Sequence, residues 1–165
     1  MILTEAWKRP VTYLRFERGR NWVSKAVSWF ARSYYTHVDL VVDIDQRLFV
    51  GAYPYKGVVL HNGTDKFDTE VFFKLVKPIP YELWVKELHK PYDWGAIWRF
   101  LLLPYPNYLA LDGRQWYCTE LAAYLVEATG AKPYRGILTP DGLFEWAVKL
   151  YADVQESFVW IKQTK

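Results

Sequence analysis

The sequence predicts an α+β domain in which helices pack on an antiparallel β-sheet, laid out as a meander or a partly closed sheet. Two observations carry this reading. Up to Pro78-Ile79-Pro80 the chain is a series of short runs whose apolar residues alternate with period two, and beyond it the apolar spacing follows a helix. Strands, then helices, then one closing strand is the order of an α+β fold. A third observation sets the number of domains. The 165 residues are 52 % hydrophobic and hold no repeat, low-complexity segment or linker, so a single domain over residues 1–165 is expected around one core.

Val11 to Phe16 alternates and is rich in β-formers, so it reads as a strand that ends at Arg18-Gly19. Asn21 caps a helix to Phe30, with Trp22, Ala26, Trp29 and Phe30 on its apolar side. Thr36 to Val42 is a second strand. It places His37, Asp39 and Val41 on one face and Val38, Leu40 and Val42 on the other. The turn Asp43-Ile44-Asp45-Gln46 leads into a strand from Arg47 to Ala52. Val58 to His61 and Glu70 to Val76, parted by Asn62-Gly63-Thr64-Asp65, continue the meander. Tyr81 to Lys90 then reads as a short helix, Tyr92 to Leu103 as another, and Pro104 to Arg114 as a loop. A helix opening at Cys118 stops at Thr129-Gly130. Thr139-Pro140 precedes a helix from Asp141 to Tyr151, and Val154 to Lys162 returns as a strand.

Composition excludes several classes. A net charge of +3 with both signs interspersed gives no basis for nucleic-acid binding beyond mild basicity, and none is expected. Arg15, Arg18, Arg20, Lys25 and Arg32 make the N-terminal quarter basic, which suits a solvated face or contact with an anionic membrane surface. A single cysteine excludes an internal disulfide. Met1 to Pro10 has no apolar signal-like core, and the longest apolar run, Ile97 to Leu103, is broken by Arg99 and stopped by Pro104. A cytoplasmic location is therefore expected. Aromatics make up 19 % of the chain, enough to line a groove as well as fill a core.

The chemistry centres on Cys118. It lies in the first turn of a helix whose apolar face includes Leu121, Leu125 and Ala128. There, unpaired backbone N–H groups and the positive end of the helix dipole favour an anion. A free thiol titrates near ~8.5, so a nucleophile at neutral pH needs such help. It also needs a base and a group to orient that base. His37 is the candidate base, and Asp39, two residues on along the same strand face, is the candidate orienting carboxylate. The structural alternative is that Asp39 pairs with a basic residue such as Arg15 or Lys74. His61 and His89 read as ordinary surface positions. A metal site of His37, Asp39, Asp43 and Asp45 lacks any compact ligand spacing, so no metal or other cofactor is expected.

Several segments together resemble a known family. Ser24 to Phe30 with Tyr35-Thr36-His37-Val38-Asp39-Leu40-Val41 is similar to the helix and histidine strand of the circularly permuted NlpC-type papain-like hydrolases, the YiiX-like group. Lys90-Pro91-Tyr92-Asp93-Trp94 resembles their Gly-Lys-Pro-Tyr-Asp segment. Tyr117-Cys118-Thr119-Glu120-Leu121 resembles their Cys-Ser/Thr-Glu motif, and Thr139-Pro140-Asp141-Gly142-Leu143 their closing Ser/Thr-Pro-x-x-Leu element. Histidine precedes cysteine, as the permuted branch requires.

The resemblance implies a permuted papain-like fold, with Cys118 as nucleophile and His37 as base. The family's third polar residue usually lies on the next strand, where this chain reads Val50-Gly51-Ala52. Gly51 orients nothing, which leaves Asp39 as the substitute partner, an unassisted dyad, or an inactive site. Tyr92, Gln115 and Tyr117 are candidate oxyanion donors beside the Cys118 N–H, and Glu120 is read as a support for the helix start. The expected activity is a thiol hydrolase or acyltransferase acting through an acyl-enzyme on an amide, ester or thioester, with a peptide or lipid-linked acyl substrate. The alternative is a binding module that keeps the fold without catalysis.

Overall fold

The computed structural model describes residues 8–20, 24–25, 28–29, 32–63, 67–95, 113–134, 139–151 and 160–163. Six strands form one antiparallel sheet: β1 (Val11–Gly19), β2 (His37–Asp43), β3 (Leu48–Tyr53), β4 (Gly57–Asn62), β5 (Phe67–Ile79) and β6 (Trp160–Gln163). The helices are α1 (Tyr81–Trp84, continued by a 3-10 turn over Val85–Glu87), α2 (Cys118–Glu127) and α3 (Pro140–Tyr151). This is the α+β architecture expected from the sequence.

The strand order is β4-β3-β2-β1-β5-β6, so the sheet is open, with β4 and β6 at its edges. β1 to β4 lie side by side as consecutive antiparallel neighbours, and the meander ends there. The expectation that Glu70 to Val76 would extend it is corrected: β5 crosses over and pairs with β1, Leu14 opposite Phe73 and Phe16 opposite Val71. The reason lies in β1, whose Leu14, Arg15 and Phe16 are all buried. A strand this deep in the protein must have its backbone N–H and C=O groups paired along both edges, and its second partner is not revealed by adjacency in sequence.

Alternation divides the sheet cleanly. Leu14, Phe16, Val38, Leu40, Val42, Leu48, Val50 and Ala52 share one core with Leu121, Leu125 and Val126 of α2 and Leu143 and Ala147 of α3. Burying each such aliphatic side chain is worth about 1.5–3 kcal/mol. The other face carries a smaller apolar cluster of Val41, Phe49 and Phe72, flanked by Tyr13. Arg15, Asp39 and Glu70 alternate away from the helices to that face, and all three are buried.

The helix expected from Tyr81 to Lys90 is shorter than its pattern. His89 adopts a left-handed φ of 67°, and the chain turns back so that the His89 N–H donates to the Val58 carbonyl at 2.8 Å. Val58 N–H in turn donates to the Lys90 carbonyl at 2.9 Å. Gly57 permits this approach, since a Cβ there would overlap the Lys90 oxygen. Most of the helix from Asn21 to Phe30 lies outside the described residues, although Ser24, Lys25, Ser28 and Trp29 are helical. The helix expected to Leu103 beyond Gly95, most of the loop from Pro104 and the start of the last strand also lie outside them. Among the described residues, no helix is long and apolar enough to cross a membrane.

Candidate active site

Two anchors set the thiol. Tyr117 caps α2 in an extended conformation, and its N–H donates to Glu120 Oε2 at 3.4 Å, the returning half of a capping box. Glu120 therefore supports the helix start. Trp116 is held in a short parallel pairing with Tyr92: its N–H donates to the Pro91 carbonyl at 3.0 Å, and its carbonyl accepts from Asp93 N–H at 3.0 Å. Its indole N–H donates to the buried Glu87 at 2.6 Å, as does the Lys90 ammonium at 2.6 Å.

His37 opens β2, and the preceding chain is tied down by α3. The backbone N–H groups of Tyr34 and Tyr35 both donate to the Asp141 carboxylate, at 2.6 and 2.8 Å. The Thr36 N–H donates to the Glu17 carbonyl at 2.8 Å. With both elements fixed, the Cys118 sulfur and the His37 imidazole are close enough to act as charge partners, beside the Val38 backbone. The Thr119 hydroxyl lies 3.8 Å from Sγ.

His37 Nε2 lies 2.9 Å from Asp39 Oδ1. A carboxylate accepts, so Nε2 carries the proton and Nδ1 is the nitrogen left to serve the thiol. Asp39 is fully buried and closely held. Arg15 Nη1 donates to Oδ2 at 2.9 Å, and the Tyr53 hydroxyl lies 2.9 Å from Oδ1 and 3.1 Å from Oδ2. Arg15 also pairs with Glu17 at 2.5 Å and with Glu70, which Arg47 meets at 2.8 Å. Of the two basic residues weighed for Asp39, Arg15 is the partner, and it pairs from within the protein while Asp39 also holds His37.

The electrostatics follow from these contacts. Burial opposes the His37 imidazolium, but the Asp39 carboxylate and the Cys118 sulfur outweigh it and raise its pKa well above the usual value. Burial likewise pushes Cys118 up, yet the facing imidazole, the Val38 backbone and the Thr119 hydroxyl bring it below an ordinary thiol. Asp39 is held far below the usual carboxylate range: His37, His61 and Arg15 overcome its burial. These shifts act in favour of a thiolate–imidazolium pair beside an ionised carboxylate.

Gly51 turns out to make this arrangement possible. A Cβ at that position would overlap Asp39 Oδ1 and stand 2.9 Å from Tyr53 Cε2. The carboxylate reaching across from β2 thus occupies the space that a side chain at 51 would fill.

The oxyanion candidates separate. Tyr92 lies near enough to Cys118 for their charges to couple, and burial with that neighbouring sulfur raises its pKa. Gln115 is turned to Asp93, at 3.2 Å. Tyr117 is buried beside Glu120 and Cys118, which with burial raise its pKa well above the usual value. Sequence reasoning missed Tyr53 and His61. The expectation of an ordinary surface position for His61 is corrected: its Nε2 lies 2.9 Å from the Tyr53 hydroxyl and 3.6 Å from Asp39 Oδ1. The strand runs one residue past the expected Ala52, which puts Tyr53 on the face of Gly51, and reaching His61 required the β3–β4 register.

No protein-family model matches the chain, and no curated protein does. A solved structure is similar in fold: the metalloprotein YiiX from Escherichia coli O157:H7, at 14 % identity and a TM-score of 0.52, over 94 % of this chain and 90 % of that one. The residues of this site do not fit a cation. Both Asp39 oxygens already accept hydrogen bonds, and the Arg15 guanidinium stands 2.9 Å from one of them. Among the described residues, no group of three or more His, Cys, Asp or Glu side chains is arranged to hold a metal.

Proposed function

We propose that the chain is a thiol hydrolase or acyltransferase of the permuted papain-like type, with Cys118 as nucleophile, His37 as acid–base and Asp39 as the group that orients it. The observation that carries this reading is the continuous link from Cys118 through His37 to a buried, ionised Asp39. The histidine-before-cysteine order and the fold likeness to YiiX support it.

In the proposed reaction the thiolate attacks the carbonyl carbon of an amide, ester or thioester, forming an S–C bond. His37 Nδ1 gives its proton to the departing amine, alcohol or thiol as the C–N, C–O or C–S bond breaks. Water or another acceptor then loses a proton to His37, attacks the thioester carbon and releases Cys118. Asp39 holds the Nε2–H throughout, so the ring neither flips nor changes tautomer. The Tyr92 hydroxyl and the Cys118 backbone N–H are the proposed oxyanion donors, each worth about 3 kcal/mol in comparable sites. A peptide or lipid-linked acyl group is the proposed substrate class, and exposed Trp29 and Tyr55 suit contact with an apolar surface.

The test is mass spectrometry of the intact protein after exposure to p-nitrophenyl acetate. An acetyl adduct on Cys118, absent in Cys118→Ala and His37→Ala, is the expected result. A Cys118 that acquires no acyl group at any pH would leave the non-catalytic binding module as the better reading.

A further inference from the structure

Asp39 faces two histidines, and the proposed reaction uses only one. Tyr53 stands between them: its ring centroid is 4.4 Å from that of His37 and 4.8 Å from that of His61. Its hydroxyl touches both Asp39 oxygens and His61 Nε2. A phenol carries one hydrogen. If it is given to Asp39, the short contact to His61 is a hydrogen bond only when His61 Nε2 carries a proton and donates to the phenol oxygen. The Asp39 carboxylate has no proton to offer, so this arrangement satisfies the carboxylate and the phenol, and at 2.9 Å it is closer than the 3.3 Å contact from His61 Nδ1 to the Asn62 carbonyl that draws the ring proton to the other side. Gly51 supports the same geometry, because a side chain there would displace the Tyr53 ring as well as the carboxylate.

We propose that Tyr53 and His61 are positioning residues, forming a second arm, His61 Nε2–H to Tyr53 O–H to Asp39, that fixes the carboxylate for His37. The proposal rests on the catalytic reading above. Without the phenol, Asp39 keeps Arg15 on Oδ2 but loses the bond that aims Oδ1 along its line to His37. His61 adds a titratable charge to this arm. When doubly protonated it is a cation 3.6 Å from the oxygen that His37 uses, so it competes for that oxygen and opposes the imidazolium. The thiolate–imidazolium pair is therefore stronger beside a neutral His61 than beside a charged one. The charged and titratable groups facing this cluster are Arg15 and Glu17 of β1, His37 and Asp39 of β2, Tyr53 of β3, Glu70 of β5, Arg47 and Cys118. Of these, Glu17 can contribute to the same pH dependence, since burial raises its pKa.

The chain has only three histidines, so nitrogen-detected imidazole NMR of the full-length protein resolves each one. The neutral His61 ring is expected in the Nε2–H tautomer in wild type. Tyr53→Phe is expected to release it to a tautomer mixture and to slow Cys118 acetylation by p-nitrophenyl acetate about tenfold, the loss typical of one hydrogen bond to a charged group. His61→Gln is expected to change the pH profile of Cys118 alkylation by iodoacetamide, because it removes the chargeable ring 3.6 Å from Asp39 Oδ1. A His61 ring held as Nδ1–H, or variant pH profiles that superimpose on wild type, would overturn the proposal. Both readouts are independent of turnover, so a wild-type protein that fails to acetylate overturns the catalytic reading without deciding this one.

Discussion

Gly51 and Asp39 share one volume on adjacent strands: the carboxylate of one sits where the side chain of the other would be. Extending the Leu40–Val50 pairing by one residue sets the two opposite each other. The orienting carboxylate can thus be supplied from the histidine's own strand provided that the neighbouring strand gives up its side chain. The pairing makes Gly51 a requirement of the site, and it has consequences for several measurements.

Gly51→Ala is expected to force Asp39 or Tyr53 aside. Overpacking of this kind costs about 1–3 kcal/mol. Urea unfolding should report that loss, and Cys118 acetylation should slow even at temperatures where the variant remains folded. A variant as stable and reactive as wild type would mean that the carboxylate has another place to go.

Cys118 should alkylate with iodoacetamide at a pH below that of a free thiol, because its pKa is lowered chiefly by His37 against the effect of burial. In His37→Ala the profile should move up, since burial is then opposed only by the Val38 backbone and the Thr119 hydroxyl. Equal profiles for the two proteins would contradict the ion pair.

Asp39→Asn preserves shape but removes the charge that supports the imidazolium and turns one of the two accepting oxygens into an amide donor. Acetylation should fall by on the order of 100-fold or more, within the range of general acid–base contributions. The fold should persist, because Arg15 keeps Glu17 and Glu70 as counterions. Asp39→Ala should be far less stable, by about 3–5 kcal/mol, because it opens a gap among buried donors. Circular dichroism melts of the two variants separate these outcomes.

Stability should decline in acid through Asp39. Its folded-state pKa lies below the unfolded one, so its contribution is fully present above the unfolded value near ~3.9 and is lost as pH falls toward the folded value. His37 acts in the opposite sense. Its raised pKa gives a contribution present below ~6.5 and lost as pH rises through the folded value. Urea midpoints of wild type, Asp39→Asn and His37→Gln across pH should show the acid slope weakened in the first variant and the neutral-to-basic decline weakened in the second.

Glu87 should matter to the site although it is remote from the thiol in sequence. It is buried and accepts from both Trp116 and Lys90, fixing the segment that leads into Cys118. Glu87→Ala leaves the indole N–H unpaired and is expected to cost about 1–3 kcal/mol. Trp116 fluorescence should shift to the red if the segment loosens.

The sequence by itself determined which residues can carry the chemistry and on which local faces they lie. Period-two alternation put His37 and Asp39 on one side of a strand and Val38, Leu40 and Val42 on the other, and helical spacing put Cys118 in a first turn. These are consequences of backbone geometry over a few residues, which neighbours in the chain specify. Tertiary structure decided the strand order, the partner of β5 and the meeting of Cys118 with His37. It also decided the roles of Gly51, Tyr53 and His61. Each of these depends on which strands lie side by side and in what register, and that is set by burial on both faces of β1 and by a buried charge cluster drawn from β1, β2 and β5. An empty position in the sequence, Gly51, became a filled one only when the neighbouring strand brought Asp39 into it.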